Sequence, residues 1–327
     1  MELPETVGLL PQLQILTIKS SSNFSSLPRS LPNVKSLTSL DLKVEKLSEL
    51  PDGIGRLSKL QSVKLVSFWT FVFAALNGLQ QISTLPEDFG ELSALEILHL
   101  SHLQELSHLP DSLGHLLNLR ELEISYCDQL QHLPNSLTQL SSLENLRVEN
   151  CSKLTAVPEG MGDGMCRLRE LLLACKGLTR LPASFSRISS LEAIDIGYNK
   201  CFEGFNSFTW LRHLSLSSMP NLTSLPASLS RLAITLTLLE VVDCDELKVL
   251  PEEIGQLVML EKLELSNLGG LECLPWSLLK LPRLKDFKVY DCMSLGKSSS
   301  MDTLVGGSSG GNNNTSECVE TDMLPLP

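Results

Sequence analysis

Residues 119–140 read Leu-Arg-Glu-Leu-Glu-Ile-Ser-Tyr-Cys-Asp-Gln-Leu-Gln-His-Leu-Pro-Asn-Ser-Leu-Thr-Gln-Leu. Residues 143–158 repeat the phrase as Leu-Glu-Asn-Leu-Arg-Val-Glu-Asn-Cys-Ser-Lys-Leu-Thr-Ala-Val-Pro. Within each, apolar residues alternate at Leu122-x-Ile124 and Leu146-x-Val148, the period of a strand with one buried face. Working outward, Leu-Pro recurs at Leu3, Leu27, Leu50, Leu85, Leu109, Leu133, Leu181, Leu225, Leu250 and Leu274, with Val157-Pro158 filling one gap. The steps are 24, 23, 35, 24, 24, 24, 24, 44, 25 and 24 residues. A period in this range marks a repeat architecture.

An LxxLxL segment follows each pair. The set starts at Leu13, Leu37, Leu60, Leu95, Leu119, Leu143, Leu168, Leu191, Leu211, Leu236, Leu260 and Leu284, which makes twelve coils. A lone strand this short cannot bury its apolar face, so the coils must stack, about 4.8 Å apart, into a parallel sheet. The return path carries a second anchor, often with Gly, as in Ile54-Gly55-Arg56-Leu57 and Leu113-Gly114-His115-Leu116. Proline, with fixed φ and no N–H, suits the start of a helical turn there. The fold expected is an α/β solenoid, a horseshoe of about twelve coils. A parallel sheet lines its concave face, and short helical or irregular turns cover the convex face. Residues 1–293 form this domain.

Composition agrees. Apolar residues make up 43% of the chain and aromatics only 5%, so leucine does the packing. The 26 Lys and Arg against 38 Asp and Glu leave a charge of −12, which argues against a nucleic-acid binder and against anionic membranes. No apolar run reaches the roughly 20 residues of a membrane span. Nine cysteines without an export signal imply reduced thiols and a cytoplasmic protein. Cys127, Cys151, Cys244 and Cys292 lie three residues past the last strand anchor, with Asn199 in the same place in its own coil. A small donor is expected there, bonding the backbone of the next coil.

The pattern LxxLxLxxCxxLxxLP followed by (I/L)GxL resembles the leucine-rich repeats of plant intracellular nucleotide-binding disease-resistance proteins, over residues 1 to about 293. The resemblance implies a sensing or regulatory repeat region in plant defence signalling, coupled to an upstream nucleotide-binding domain. The alternative is a stand-alone scaffold or enzyme-regulating subunit like the Ras-group intracellular repeat proteins, whose coils usually carry Asn where this chain has Cys. Gly296-Lys297-Ser298 ends like a phosphate-binding loop, but Asp291 stands where its first glycine is required.

Three departures stand out. The insertion at residues 66–76, which includes Trp69 and Phe71, makes one step eleven residues longer than 24. It is open to three readings: an apolar partner or membrane grip, a loop folded back, or a misjoined coding segment. The coil across residues 197–210 is short, has lost Leu-Pro, and carries Phe202, Phe205 and Phe208. Residues 294–327 hold the run Gly306–Asn314 and are expected to be disordered. The abrupt start and the lack of polar end-caps suggest a piece, or a shortened relative, of a longer protein.

Neither a metal ligand set nor a cofactor motif is present, and six histidines spread over several coils do not converge. A non-catalytic recognition module is expected. Residues flanking the inner leucine of each strand point outward. They place Glu121, Glu123, Glu149, Glu170 and Asp195 around Arg147, with Leu172 as part of an apolar floor. A basic protein segment, from a partner or from an upstream nucleotide-binding domain, is the expected occupant, with Trp69 and Phe71 as a secondary candidate.

Overall fold

A computed structural model describes residues 3–20, 24–67, 82–178, 180–198, 208, 210–296 and 318–319. The chain divides into two compact units, Met1–Leu191 and Glu192–Pro327. The boundary falls at the start of the short coil.

In the first unit seven strands pair in parallel and in chain order: β1 (Ile15–Ser20), β2 (Ser39–Val44), β3 (Ser62–Val66), β4 (Ile97–Ser101), β5 (Glu121–Ser125), β6 (Asn145–Glu149) and β7 (Glu170–Ala174). In the second unit β8 (Ala193–Gly197), β9 (His213–Ser217), β10 (Leu238–Val242) and β11 (Lys262–Ser266) do the same, followed by β13 (Asp286–Tyr290). Each of these twelve strands begins two residues after the first leucine of its LxxLxL. The intervening two-residue β12 (Leu274–Pro275) pairs antiparallel with β14 (Cys318–Val319). Residues 318–319 therefore depart from the expectation of an unstructured tail, whose Gly306–Asn314 run lies outside the described residues. Most of the 66–76 insertion, with Trp69 and Phe71, lies outside them too, as do Asn199, Phe202 and Phe205.

Alternation sets burial. Leu122, Ile124, Leu146 and Val148 are fully buried between the sheet and the return path, and so are Leu239, Val241, Leu263 and Leu265 in the second unit. Burying each such side chain contributes about 1.5–3 kcal/mol. The return path is a 3₁₀ turn entered through the proline. Asp111–His115 and Asn135–Gln139 follow Pro110 and Pro134, and the proline carbonyl accepts the first hydrogen bond, from Leu113 at 3.2 Å and Leu137 at 3.1 Å. Proline sits just outside the helix in extended backbone, so its missing N–H costs nothing.

Glycine in these turns answers a packing need. A Cβ on Gly114 would lie 2.5 Å from the Ser136 carbonyl oxygen of the next turn, and one on Gly255 would lie 2.5 Å from Ser277 Cβ. The turns thus approach as closely as the strands on the opposite side of the coil.

Beyond the strands the thiols form a spine. Cys127 donates to Leu100 O at 3.7 Å, Cys151 to Ile124 O at 3.9 Å and Cys175 to Val148 O at 3.6 Å. The acceptor is a strand carbonyl of the preceding coil, which corrects the expected direction: after each strand the chain turns under its predecessor. Cys244 and Cys292 repeat the bond in the second unit, to Leu216 O and Leu265 O, each at 3.9 Å. The Cys151 thiol is pushed up to about 12 by its hydrogen bond with Cys127 and by burial, so it stays protonated. Cys175 is raised too, by its bond with Cys151 and by burial. One cysteine overturns the expectation of reduced thiols throughout: Cys273, beside β12, is disulfide-bonded.

If the glycine contacts set coil spacing, Gly114→Ala should destabilise the chain by about 1–3 kcal/mol, the usual cost of overpacking. Gly160→Ala is the control. Gly160 has φ −84° and its added Cβ would meet only Thr138 Cγ2, at 3.5 Å. Urea midpoints should drop for the first variant and stay level for the second.

Candidate functional site

Register turns the outward residues of the first unit into three columns. The first residues of the strands give Ile15, Ser39, Ser62, Ile97, Glu121, Asn145 and Glu170. The third residues give Thr17, Asp41, Lys64, His99, Glu123, Arg147 and Leu172, and the fifth run from Lys19 and Lys43 to Ser125, Glu149 and Ala174. Six of the seven expected site residues (Glu121, Glu123, Arg147, Glu149, Glu170 and Leu172) therefore share the face of β5, β6 and β7. Asp195 lies in the corresponding column of β8 in the second unit, beside Ser217, whose hydroxyl donates to it at 3.4 Å.

The expected ring of carboxylates around Arg147 is looser than its spacing implies. Among the described residues Arg147 Nη1 reaches only Glu149, at 3.5 Å. Glu121 turns the other way, to His99 Nε2 at 2.6 Å, a diagonal contact, since register sets His99 opposite Glu123. Glu123 accepts from the Ser125 hydroxyl at 3.2 Å, and Glu170 is exposed. Leu172 and the buried Ala174 give a small apolar floor.

A second feature escaped the sequence reading. The residue after the strand adopts a left-handed backbone at His102, Tyr126 and Asn150, with φ of 59°, 55° and 53°. Its N–H donates to the last strand carbonyl of the next coil: His102 to Ser125 at 2.8 Å, Tyr126 to Glu149 at 3.0 Å, Asn150 to Ala174 at 2.8 Å. The second unit repeats the turn at Tyr198, Ser218, Asp243, Asn267 and Asp291. Asn and Asp tolerate this conformation and were the available signal, whereas bulky rings resist it. His102 and Tyr126 nevertheless adopt it in neighbouring coils and stack, centroids 4.3 Å apart and planes 14° from parallel. The half-exposed Tyr126 ring thus forms a ledge beside the acidic columns.

Chemically the arrangement offers charge and contact. His102 Nδ1 lies 2.7 Å from Ser101 Oγ, which lies 2.8 Å from Ser125 Oγ. Both serines are buried, so neither hydroxyl is presented to a substrate. His99–Glu121 is a histidine–carboxylate pair on an open sheet rather than in a cleft. Among the described residues no three His, Cys, Asp or Glu side chains gather as a metal site, and no helix is long and apolar enough to cross a membrane.

A family model described as a leucine-rich repeat region matches residues 73–248. The chain belongs to the leucine-rich repeat family. No curated protein matches it. Solved structures with the same fold include a leucine-rich repeat protein of Leptospira interrogans, 22% identical over 90% of this chain and 88% of that one, with a TM-score of 0.50. The leucine-rich repeat domain of the type III effector XopL is 25% identical over 77% and 76%, with a TM-score of 0.50. The ectodomain of the Arabidopsis thaliana membrane receptor kinase GASSHO1/SCHENGEN3, solved in complex with Casparian strip integrity factor 2, is 24% identical over 88% and 37%, with a TM-score of 0.53. Leucine-rich repeat domains are interaction scaffolds that bind proteins, and this repeat region has the architecture of one.

Burial lowers the affinity of the His102 ring for a proton, against the pull of Asp128 and Glu123. The unfolded chain then takes up that proton first as pH falls. Stability should drop from about pH 6.5 down to the lower folded value and level off below it. His102→Asn, which also suits the left-handed turn, should flatten urea midpoints across that window relative to the parent chain.

Proposed function

We propose that this chain is a non-catalytic protein-recognition module whose first unit takes a basic protein segment on the outward face of β5, β6 and β7. The observation that carries the reading is the charge on that face: Glu121, Glu123, Glu149 and Glu170 against Arg147 alone. Like charges gathered over a low-dielectric sheet add within a Debye length of about 8 Å and steer a cationic partner. Leu172 and the Tyr126 ring supply apolar and aromatic contact beside them, and an arginine or lysine of the partner would stack on that ring.

The biological setting follows from the resemblance. The cysteine-bearing repeat favours the sensing or regulatory repeat region of a plant resistance-type protein over a Ras-group-like scaffold. The basic segment would then come from an upstream nucleotide-binding domain or from a partner protein. That setting is cytoplasmic. The six free cysteines among the described residues suit it. The Cys273 disulfide weighs against it, since such bonds are rare in reducing compartments.

The test uses a fluorescent peptide, Lys-Lys-Lys-Ser-Gly-Ser-Ser-Gly-Ser, at low salt. Reversing three charges at about 0.5 kcal/mol each predicts that Glu121→Lys/Glu123→Lys/Glu170→Lys weakens binding roughly tenfold and flattens its salt dependence. The circular dichroism spectrum should not change. Equal binding by parent and triple variant would move the site elsewhere.

A further inference from the structure

The acidic strands are only half of the face. On β1, β2 and β3 the outward residues include Lys19, Lys43 and Lys64, with Asp41 the one carboxylate among them. Among the described residues none of these lysines has a carboxylate within ion-pair reach, and Asp41 Oδ1 is buried without a hydrogen-bond donor. The ammonium groups are therefore not engaged by the nearest acid. On the second unit's own face the bases are engaged. Lys262 Nζ sits 3.0 Å from Glu240 and 3.1 Å from Glu264, and Lys288 sits 3.4 Å from Asp286. The first unit instead separates its charges along the sheet: three lysines against one aspartate on β1 to β3, four glutamates against one arginine on β5 to β7. Between them, on β4, stands His99, held by Glu121.

We propose that this face is a bipolar docking strip for one extended protein segment that crosses the strands, with acidic side chains over β1 to β3 and basic side chains over β5 to β7. The proposal rests on the recognition reading above and extends it to the partner's sequence. From β2 to β6 there are four strand spacings, about 19 Å at roughly 4.8 Å each. An extended chain covers about 3.3 Å per residue, so the centres of the two charge clusters in the partner should lie about six residues apart. The order is fixed as well, because a uniformly basic segment would bring cations onto three unpaired lysines. Like charges there are repelled, and this discriminates among partners of equal net charge.

Three nonapeptides test it at low salt. One is Glu-Glu-Glu-Ser-Gly-Ser-Lys-Lys-Lys. The second has the same composition with Glu and Lys alternating. The third is the basic peptide described above. The block peptide should bind at least fivefold more tightly than the alternating one. Lys19→Ser/Lys43→Ser/Lys64→Ser should abolish that preference, while binding of the basic peptide holds or strengthens. The proposal is overturned if the block and alternating peptides bind alike, or if the lysine variant keeps the preference. The acidic-face reading fails separately, when Glu121→Lys/Glu123→Lys/Glu170→Lys leaves binding of the basic peptide intact.

Discussion

Hydrogen bonding between parallel strands sets a coil spacing of about 4.8 Å, and every other part of each coil must match it. On the side of the 3₁₀ turns the match comes from small residues: Gly114 against Ser136, Gly255 against Ser277. In the bend after the strand it comes from a compact thiol that bonds the preceding coil and from a left-handed residue that bonds the following one. A coil thicker at any of these points would pull the strand ladder apart. This explains why a chain with so few aromatics packs well. Leucine at fixed positions fills a constant cross-section, and Phe89 and Phe185 stand fully buried in the 3₁₀ turns where other coils carry leucine or isoleucine.

The same constraint frees the outward face. Inward residues are held by packing, and the bends by hydrogen bonds. The first and third residues of each strand owe the fold only a side chain that tolerates a sheet, whereas the fifth is buried at Ser101, Ser125 and Ala174. The second unit uses that freedom to neutralise itself through Lys262 and Lys288. The first unit leaves lysines without an ion-pair partner among the described residues at one end of its sheet, and glutamates in excess at the other. Charge separation of this kind does not help folding, which is the argument for assigning it to recognition. It also locates specificity in the ordering of charges rather than in any one contact.

Strand positions were readable because leucine spacing and the pleat obey one arithmetic, and all twelve strands begin where LxxLxL places them. The placement of six candidate residues on one face was readable for the same reason. What escaped depends on neighbours 22 to 27 residues away. His99 and Glu121 meet through register, and nothing local to His99 announces it. Cys175 was missed because its coil lacks the left-handed residue, so it sits two rather than three residues past Leu173, although Cys-x-x-Leu continues through Leu178. His102 and Tyr126 were unlikely residues for a left-handed turn, and only the Asn and Asp in equivalent positions hinted at it. The Cys273 bond was hidden by a sound but compartment-based prior.

The central claim is a division of labour: inward positions make the fold, and outward ones are free to bind. Thermal unfolding of a fivefold variant, with Glu121, Glu123, Arg147, Glu149 and Glu170 all replaced by serine, tests it most directly. Exposed ion pairs contribute about 0–1 kcal/mol, and 1 kcal/mol shifts Tm by about 2–4 °C in a domain of this size. The account predicts a Tm within about 3 °C of the parent. A fall of about 10 °C or more would mean that these charges hold the coils together, and would contradict it.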